Sequence, residues 1–150
     1  MDDDFLFSGI GSTREKNSTL LKAKQSRYHA IKEVPINKIQ LRGDSYTTGV
    51  HHELMVFLEN SINIRVSRTN GEDTLQLDAI DTGKYAKNVL HEKIITDKKI
   101  NTKTVFIAFS EAKNARPYYD QADCQTFAAE VYKKITGEPL NSNLGDDDFI

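Results

Sequence analysis

The sequence predicts an α+β fold in which an antiparallel sheet packs against helices, and three observations carry that expectation. Residues 53–58 read as a strand buried well on one face and partly on the other, and apolar and polar residues alternate through residues 62–67 and again through 75–79. Asn70-Gly71 lies between the last two alternating runs, and that dipeptide is the strongest short hairpin signal. Near the end of the chain the period changes: Cys124, Phe127, Val131 and Ile135 recur at helical spacing and form one stripe.

Taken in order, residues 1–17 mix acidic, Ser, Gly and Lys residues with a small apolar group, Phe5, Leu6, Phe7 and Ile10, and read as a flexible arm. Residues 18–33 hold Leu20, Leu21, Ala23 and Ala30 among Lys, Gln and Arg, which predicts a helix ended by Pro35. Leu54, Val56 and Leu58 then alternate with Glu53, Met55 and Phe57 on the first strand. If residues 59–61 form a loop, Leu58, Val56 and Leu54 face Ile62, Ile64 and Val66, and His52 faces Arg68. If Asn70 and Gly71 form a two-residue turn, Thr69 faces Glu72, and Val66, Ile64 and Ile62 face Leu75, Leu77 and Ala79. The apolar faces then coincide, which supports the register. A short helical or irregular stretch is expected through residues 85–90. Residues 104–109 are apolar enough for a fourth strand inside the sheet. Pro117 separates that strand from the closing helix, which begins near Asp123 and is stopped by Thr136-Gly137 and Pro139. Residues 18–140 are thus expected as one catalytic domain, and residues 141–150 as an acidic tail.

With 20 basic and 22 acidic residues among 150, the formal net charge is −2, and nothing draws the chain generally to nucleic acid or anionic membrane. No apolar run approaches the roughly 18 residues that cross a bilayer. Asp2, Asp3 and Asp4 stand where a secretory signal would carry positive charge, so the chain reads as soluble and cytosolic where it is made, without stable membrane insertion. A single cysteine excludes an internal disulfide framework. Cys124 is therefore either a packing residue that begins the helical stripe or a reactive thiol.

The first turn of a helix favours a thiolate, because unpaired backbone N–H groups and the helix dipole both stabilise negative charge there. The same N–H groups can hold the oxyanion that forms when a thiolate attacks a carbonyl. A histidine supplies a base near neutral pH. His51 and His52 head the first strand, and alternation puts His52 on the face of Leu54, Val56 and Leu58, the face expected to meet the Cys124 helix. That makes His52 the better base by this reasoning, with His51 sharing the face of Glu53. His29 and His91 fall in polar surroundings and are expected on the surface. Arg68, opposite His52, cannot accept an imidazole proton, so no third catalytic residue is assigned.

Asp123-Cys124-Gln125-Thr126-Phe127-Ala128-Ala129-Glu130-Val131, closed by Thr136-Gly137, resembles the cysteine motif of the PPPDE (desumoylating isopeptidase-like) peptidases of permuted papain fold. It is also similar to the Asn-Cys-x-x-Phe motif of lecithin:retinol acyltransferase-like enzymes. Gly49-Val50-His51-His52 resembles the histidine motif of both groups. The resemblance implies a permuted papain-like order, with histidine on an early strand and cysteine on a late helix, and a Cys-His dyad with no cofactor or metal. Asp123 stands where these families usually carry Asn. Turned inward, its carboxylate would oppose thiolate formation; as a helix cap it would satisfy backbone N–H groups instead.

The expected function is thus a thiol hydrolase acting through a thioester on an amide or isopeptide bond of a protein substrate, as peptidase, isopeptidase or deamidase. Two alternatives stand beside it: an acyltransferase or lipid hydrolase of the same fold, and a nonenzymatic binding module. A metal site on His51, His52, Glu53 and His91 is disfavoured, because adjacent strand residues point to opposite faces. The charged N-terminus on a compact hydrolase would also suit a bacterial effector delivered into another cell.

Overall fold

Ile39 and Leu41 alternate with Lys38, Gln40 and Arg42, and this pattern builds a strand beyond those expected from the sequence. In a computed structural model, which describes residues 33–47, 49–81 and 86–140, it is β1, Ile36–Gly43. The remaining strands are β2, His52–Leu58; β3, Asn63–Thr69; β4, Glu72–Leu77; and β5, Val89–Ile94. Two helices follow, α1, Thr102–Ala115, and α2, Cys124–Thr136. The architecture is α+β, a five-stranded antiparallel sheet in the order β4-β3-β2-β1-β5 with two helices. The expected arm at 1–17, the helix of residues 18–33 apart from Glu33, His29 and the tail at 141–150 lie outside the described residues.

The hairpin follows the expected register. Thr69 faces Glu72, Val66 faces Leu75 and Ile64 faces Leu77. On the other side Leu54 faces Val66 and Val56 faces Ile64. Pairing of β3 with β4 stops at Leu77, where Asp78 takes a positive φ, and the Ala79 N–H donates instead to the Asn63 carbonyl.

Two expectations are corrected. Residues 104–109 are not a strand but the middle of α1, because a six-residue apolar run carries no decisive period. Its true period shows only over the whole helix: Val105, Phe106, Ala108, Phe109 and Ala112 are buried, while Ile107 is 41% exposed. Asn101 starts the helix by accepting from the Lys103 and Thr104 N–H groups, and the Thr104 hydroxyl accepts from Asn101 N–H, a closed capping box. The stretch expected as helical or irregular at residues 85–90 ends in strand, since Val89 and Leu90 open β5.

One face of the sheet carries Ile39, Leu41, Leu54, Val56, Ile64, Val66, Leu75 and Leu77 against Phe106, Phe109, Phe127, Val131 and Ile135 of the helices. Phe109 and Phe127 meet edge to face at 5.9 Å, locking α1 to α2. The Asp123 cap contributes about 1 kcal/mol to α2, whereas burying Phe127 alone contributes roughly 2–3 kcal/mol. The stripe therefore fixes where α2 lies, and the cap fixes where it begins. The second face is polar yet largely covered. Arg42 pairs with Asp81 at 2.7 Å and donates twice to Gln40, and Arg65 donates to the Ile80 carbonyl. The connection from β4 to β5, which lie at opposite edges of the sheet, thus begins by leaning over this face. Among the described residues no helix is long and apolar enough to cross a membrane.

Candidate active site

α2 packs on β2 and β3, and its first turn arrives at the opening of β2, where Gly43 of β1 pairs with His52. A Cβ at Gly43 would stand 2.6 Å from both the His51 carbonyl oxygen and His52 Cδ2. Only the absence of a side chain lets the strands close there, so Gly43→Ala is expected to shift the residue 51–52 backbone. The expected cost is about 1–3 kcal/mol, read in a melting curve, together with loss of the low-pH thiol reactivity described below. An unchanged alkylation profile would show that the site does not depend on this approach.

The segment between β1 and β2 is fastened from several sides. Gln125 Nε2 donates to the carbonyls of Thr47 and Val50, at 2.8 and 2.9 Å. The Tyr46 hydroxyl donates to the Leu90 carbonyl, and Asn88 donates to Asp44. His52 Nε2 donates to the Ser45 carbonyl at 2.7 Å, which fixes its tautomer. The His52 ring is fully buried on the aliphatic face, as alternation predicted, and burial lowers its pKa.

The thiol nevertheless belongs to the other histidine. Cys124 Sγ is hydrogen-bonded to the side chain of His51, while His52 contributes only its backbone N–H. Sγ also lies 3.5 Å from the Val50 carbonyl oxygen and receives the Tyr119 hydroxyl at 3.6 Å. The expectation that the His52 ring meets the thiol is not what the structure shows, and the physical reason is local. Alternation governs residues inside a strand, but Sγ lies beside residues 50–52, where the strand is only beginning, and there it meets backbone on one side and the His51 ring on the other.

His51 brings a third group, where none is expected among the residues opposite His52. Glu53, two residues on, shares its face, and Glu53 Oε1 lies 3.4 Å from His51 Nε2. Arg65 Nε sits 3.3 Å from Glu53 Oε2 and holds the carboxylate from the next strand. The signal was present in the sequence as His51-x-Glu53 on an alternating segment.

The electrostatics follow from these partners. Hydrogen bonds to Cys124 and to Glu53 raise the His51 pKa to about 9, against the opposing effect of partial burial. Burial alone would raise the Cys124 thiol, but hydrogen bonds from His51, the His52 backbone N–H and Tyr119 outweigh it and bring the pKa below its ordinary value. Both shifts favour a thiolate beside an imidazolium. Asp123 is turned onto the helix, its side chain accepting from Thr126 N–H at 2.9 Å, so its carboxylate serves as the cap. Gly137 closes the same helix in the left-handed region.

The remaining sequence candidate lies elsewhere. His91 is half-buried on β5, its Nε2 3.1 Å from the Tyr132 hydroxyl, rather than on the open surface. Among the described residues no three His, Cys, Asp or Glu side chains gather where an ion would fit. Tyr119 and Gln125 had not been singled out from the sequence, because their roles depend on how the turn before α2 and the turn before β2 meet. No family model, no curated protein and no solved structure matches the chain.

Proposed function

We infer that the chain is a thiol hydrolase that cleaves an amide or isopeptide bond of a protein substrate through a Cys124 thioester. The observation that carries this reading is the series Cys124, His51, Glu53: a thiol at a helix N-terminus, hydrogen-bonded to an imidazole that also faces a carboxylate. Sγ attacks the carbonyl carbon, and the electron pair of the C=O bond moves to oxygen. On collapse the carbonyl re-forms and the C–N bond breaks, and the leaving nitrogen takes the proton from His51. Water then gives a proton to His51 and attacks the thioester, and the carboxylic acid leaves as the thiolate returns. The element order, histidine at the opening of β2 and cysteine opening α2, supports a permuted papain-like arrangement of the kind the PPPDE resemblance implies. Under this reading His52 is a positioning residue for the turn before β2.

The test is covalent capture combined with a pH series. Cys124 is expected to take one iodoacetamide at pH 6.5 faster than a free thiol of pKa about 8.5. Hydrolysis of amide and isopeptide peptides should follow a bell. It rises as the thiol ionises and falls through about pH 9 as His51 loses the proton it must donate. Labelling only after unfolding, or a profile matching free cysteine, would remove the nucleophile.

A further inference from the structure

We propose that Tyr119 is a catalytic residue whose phenol donates a hydrogen bond to the oxyanion formed when Cys124 attacks a carbonyl, an inference that rests on the thiol-hydrolase reading above. Its hydroxyl already points at the reacting atom, 3.6 Å from Sγ. A donor serving an oxyanion must stand about 2.7–3.1 Å from the oxygen, and that oxygen lies one bond beyond the carbon joined to sulfur. A hydroxyl at 3.6 Å from sulfur is within reach of it by a small rotation of the ring.

The turn that carries Tyr119 is held on both sides. The Gln121 and Ala122 N–H groups both donate to the Tyr118 carbonyl, at 3.0 and 3.2 Å, and Tyr118 N–H donates to Gln121 Oε1 at 3.0 Å. From the sheet, Arg68 Nη1 donates to the Ala122 carbonyl at 2.9 Å and to the Tyr118 carbonyl at 3.4 Å. Arg68 is itself 1% exposed and paired through two bonds with Asp73. The backbone that carries the phenol is fixed in this way, so only the ring turns when charge develops beside it. Burial and the neighbouring Cys124 raise the phenol pKa, so the proton stays on the hydroxyl throughout the working range.

In the chemistry, Sγ forms its bond to the carbonyl carbon and the displaced electron pair settles on oxygen, hydrogen-bonded by the phenol. The phenol keeps its proton. When the C=O bond re-forms, the leaving group departs with the proton of the His51 imidazolium, and the Tyr119 hydroxyl returns to Sγ or to water. The rival account is that Tyr119 only stabilises the resting thiolate. The two differ in a reaction that has no oxyanion: alkylation by iodoacetamide displaces iodide at a saturated carbon, whereas acylation by p-nitrophenyl acetate passes through a tetrahedral oxyanion.

The experiment compares these two probes on the full chain and on Tyr119→Phe, using plateau rates from pH profiles so that any change in thiol pKa is removed. The expected result is an acylation plateau lowered by about 10²-fold with the alkylation plateau retained. Equal loss in both reactions, or loss in neither, overturns the proposal. Should the phenylalanine variant fail to fold, 3-fluorotyrosine at position 119 gives the same decision. It is nearly isosteric and a stronger donor, so the acylation plateau should rise at a pH where the phenol is protonated, with alkylation unchanged, and a flat response overturns the proposal. If the unmodified chain is acylated no faster than free cysteine, the hydrolase reading falls and takes this role with it. Fast acylation that survives Tyr119→Phe sinks Tyr119 alone.

Discussion

His51→Ala is expected to lower hydrolysis by about 10²–10⁴-fold and to return the Cys124 thiol toward a pKa of about 8.5, while His52→Ala leaves the thiol profile nearly in place. The asymmetry follows from what each histidine offers the sulfur. His51 gives its ring, and the same ring is oriented by Glu53. His52 gives a backbone N–H, which alanine retains. Removing the His52 ring instead empties a fully buried position and leaves the Ser45 carbonyl without its 2.7 Å partner, so its effect should appear as lost stability of about 1–3 kcal/mol. Alkylation rates across pH 5 to 10, set beside melting curves of both variants, separate the two roles. A thiol profile that collapses with His52→Ala and survives His51→Ala would reverse the assignment.

Arg68→Met should cost about 3–5 kcal/mol of stability. Arg68 Nε and Nη2 bind the two oxygens of Asp73 at 2.7 and 3.0 Å, with both side chains out of solvent. Its Nη1 serves the Ala122 and Tyr118 carbonyls, and its guanidinium stacks on Phe127 at 4.2 Å. Methionine keeps much of the packing and removes every one of these bonds, so the dominant cost is the Asp73 charge left buried with no counterion. Combining Arg68→Met with Asp73→Leu should therefore recover a large part of the loss. Chemical denaturation of the two single variants and the double variant gives the cycle, and a loss below about 1 kcal/mol for Arg68→Met would show that the pair is not what ties the hairpin to the turn before α2.

What could be read from the sequence divides along physical lines. The β3–β4 register was legible because Asn70-Gly71 dictates a turn and only one register joins the apolar faces. α2 was legible for a related reason: an uninterrupted stripe, a polar cap at Asp123 and a terminal glycine agree on the same helix. Residues 104–109 misled because a short apolar run fits a buried strand as well as a helix, and the deciding signal, the Asn101 capping box with Thr104, lies at its edge. β1 carries a legible alternation in Ile39 and Leu41, but it follows directly on Pro35, which as a helix stop gives no sign of a strand behind it. Cys124 and the His51-His52 pair were found as residue types. Which imidazole reaches the sulfur was not legible, because it depends on where α2 lands along β2, a matter of tertiary packing that no local pattern encodes.

The bonds that close the site join distant parts of the chain, and this sets an order in time. Arg68 and Asp73 meet across only five positions, but Sγ reaches the Val50 carbonyl across 74 and Gln125 reaches Thr47 across 78. Hairpins with such short closures form early, whereas contacts of long sequence separation must await the ordering of the chain between them. Cys124 is therefore expected to meet His51 only when α2 docks on an already paired sheet. Under the proposed function, the thiol of a partly folded chain should then show only the reactivity of an ordinary cysteine.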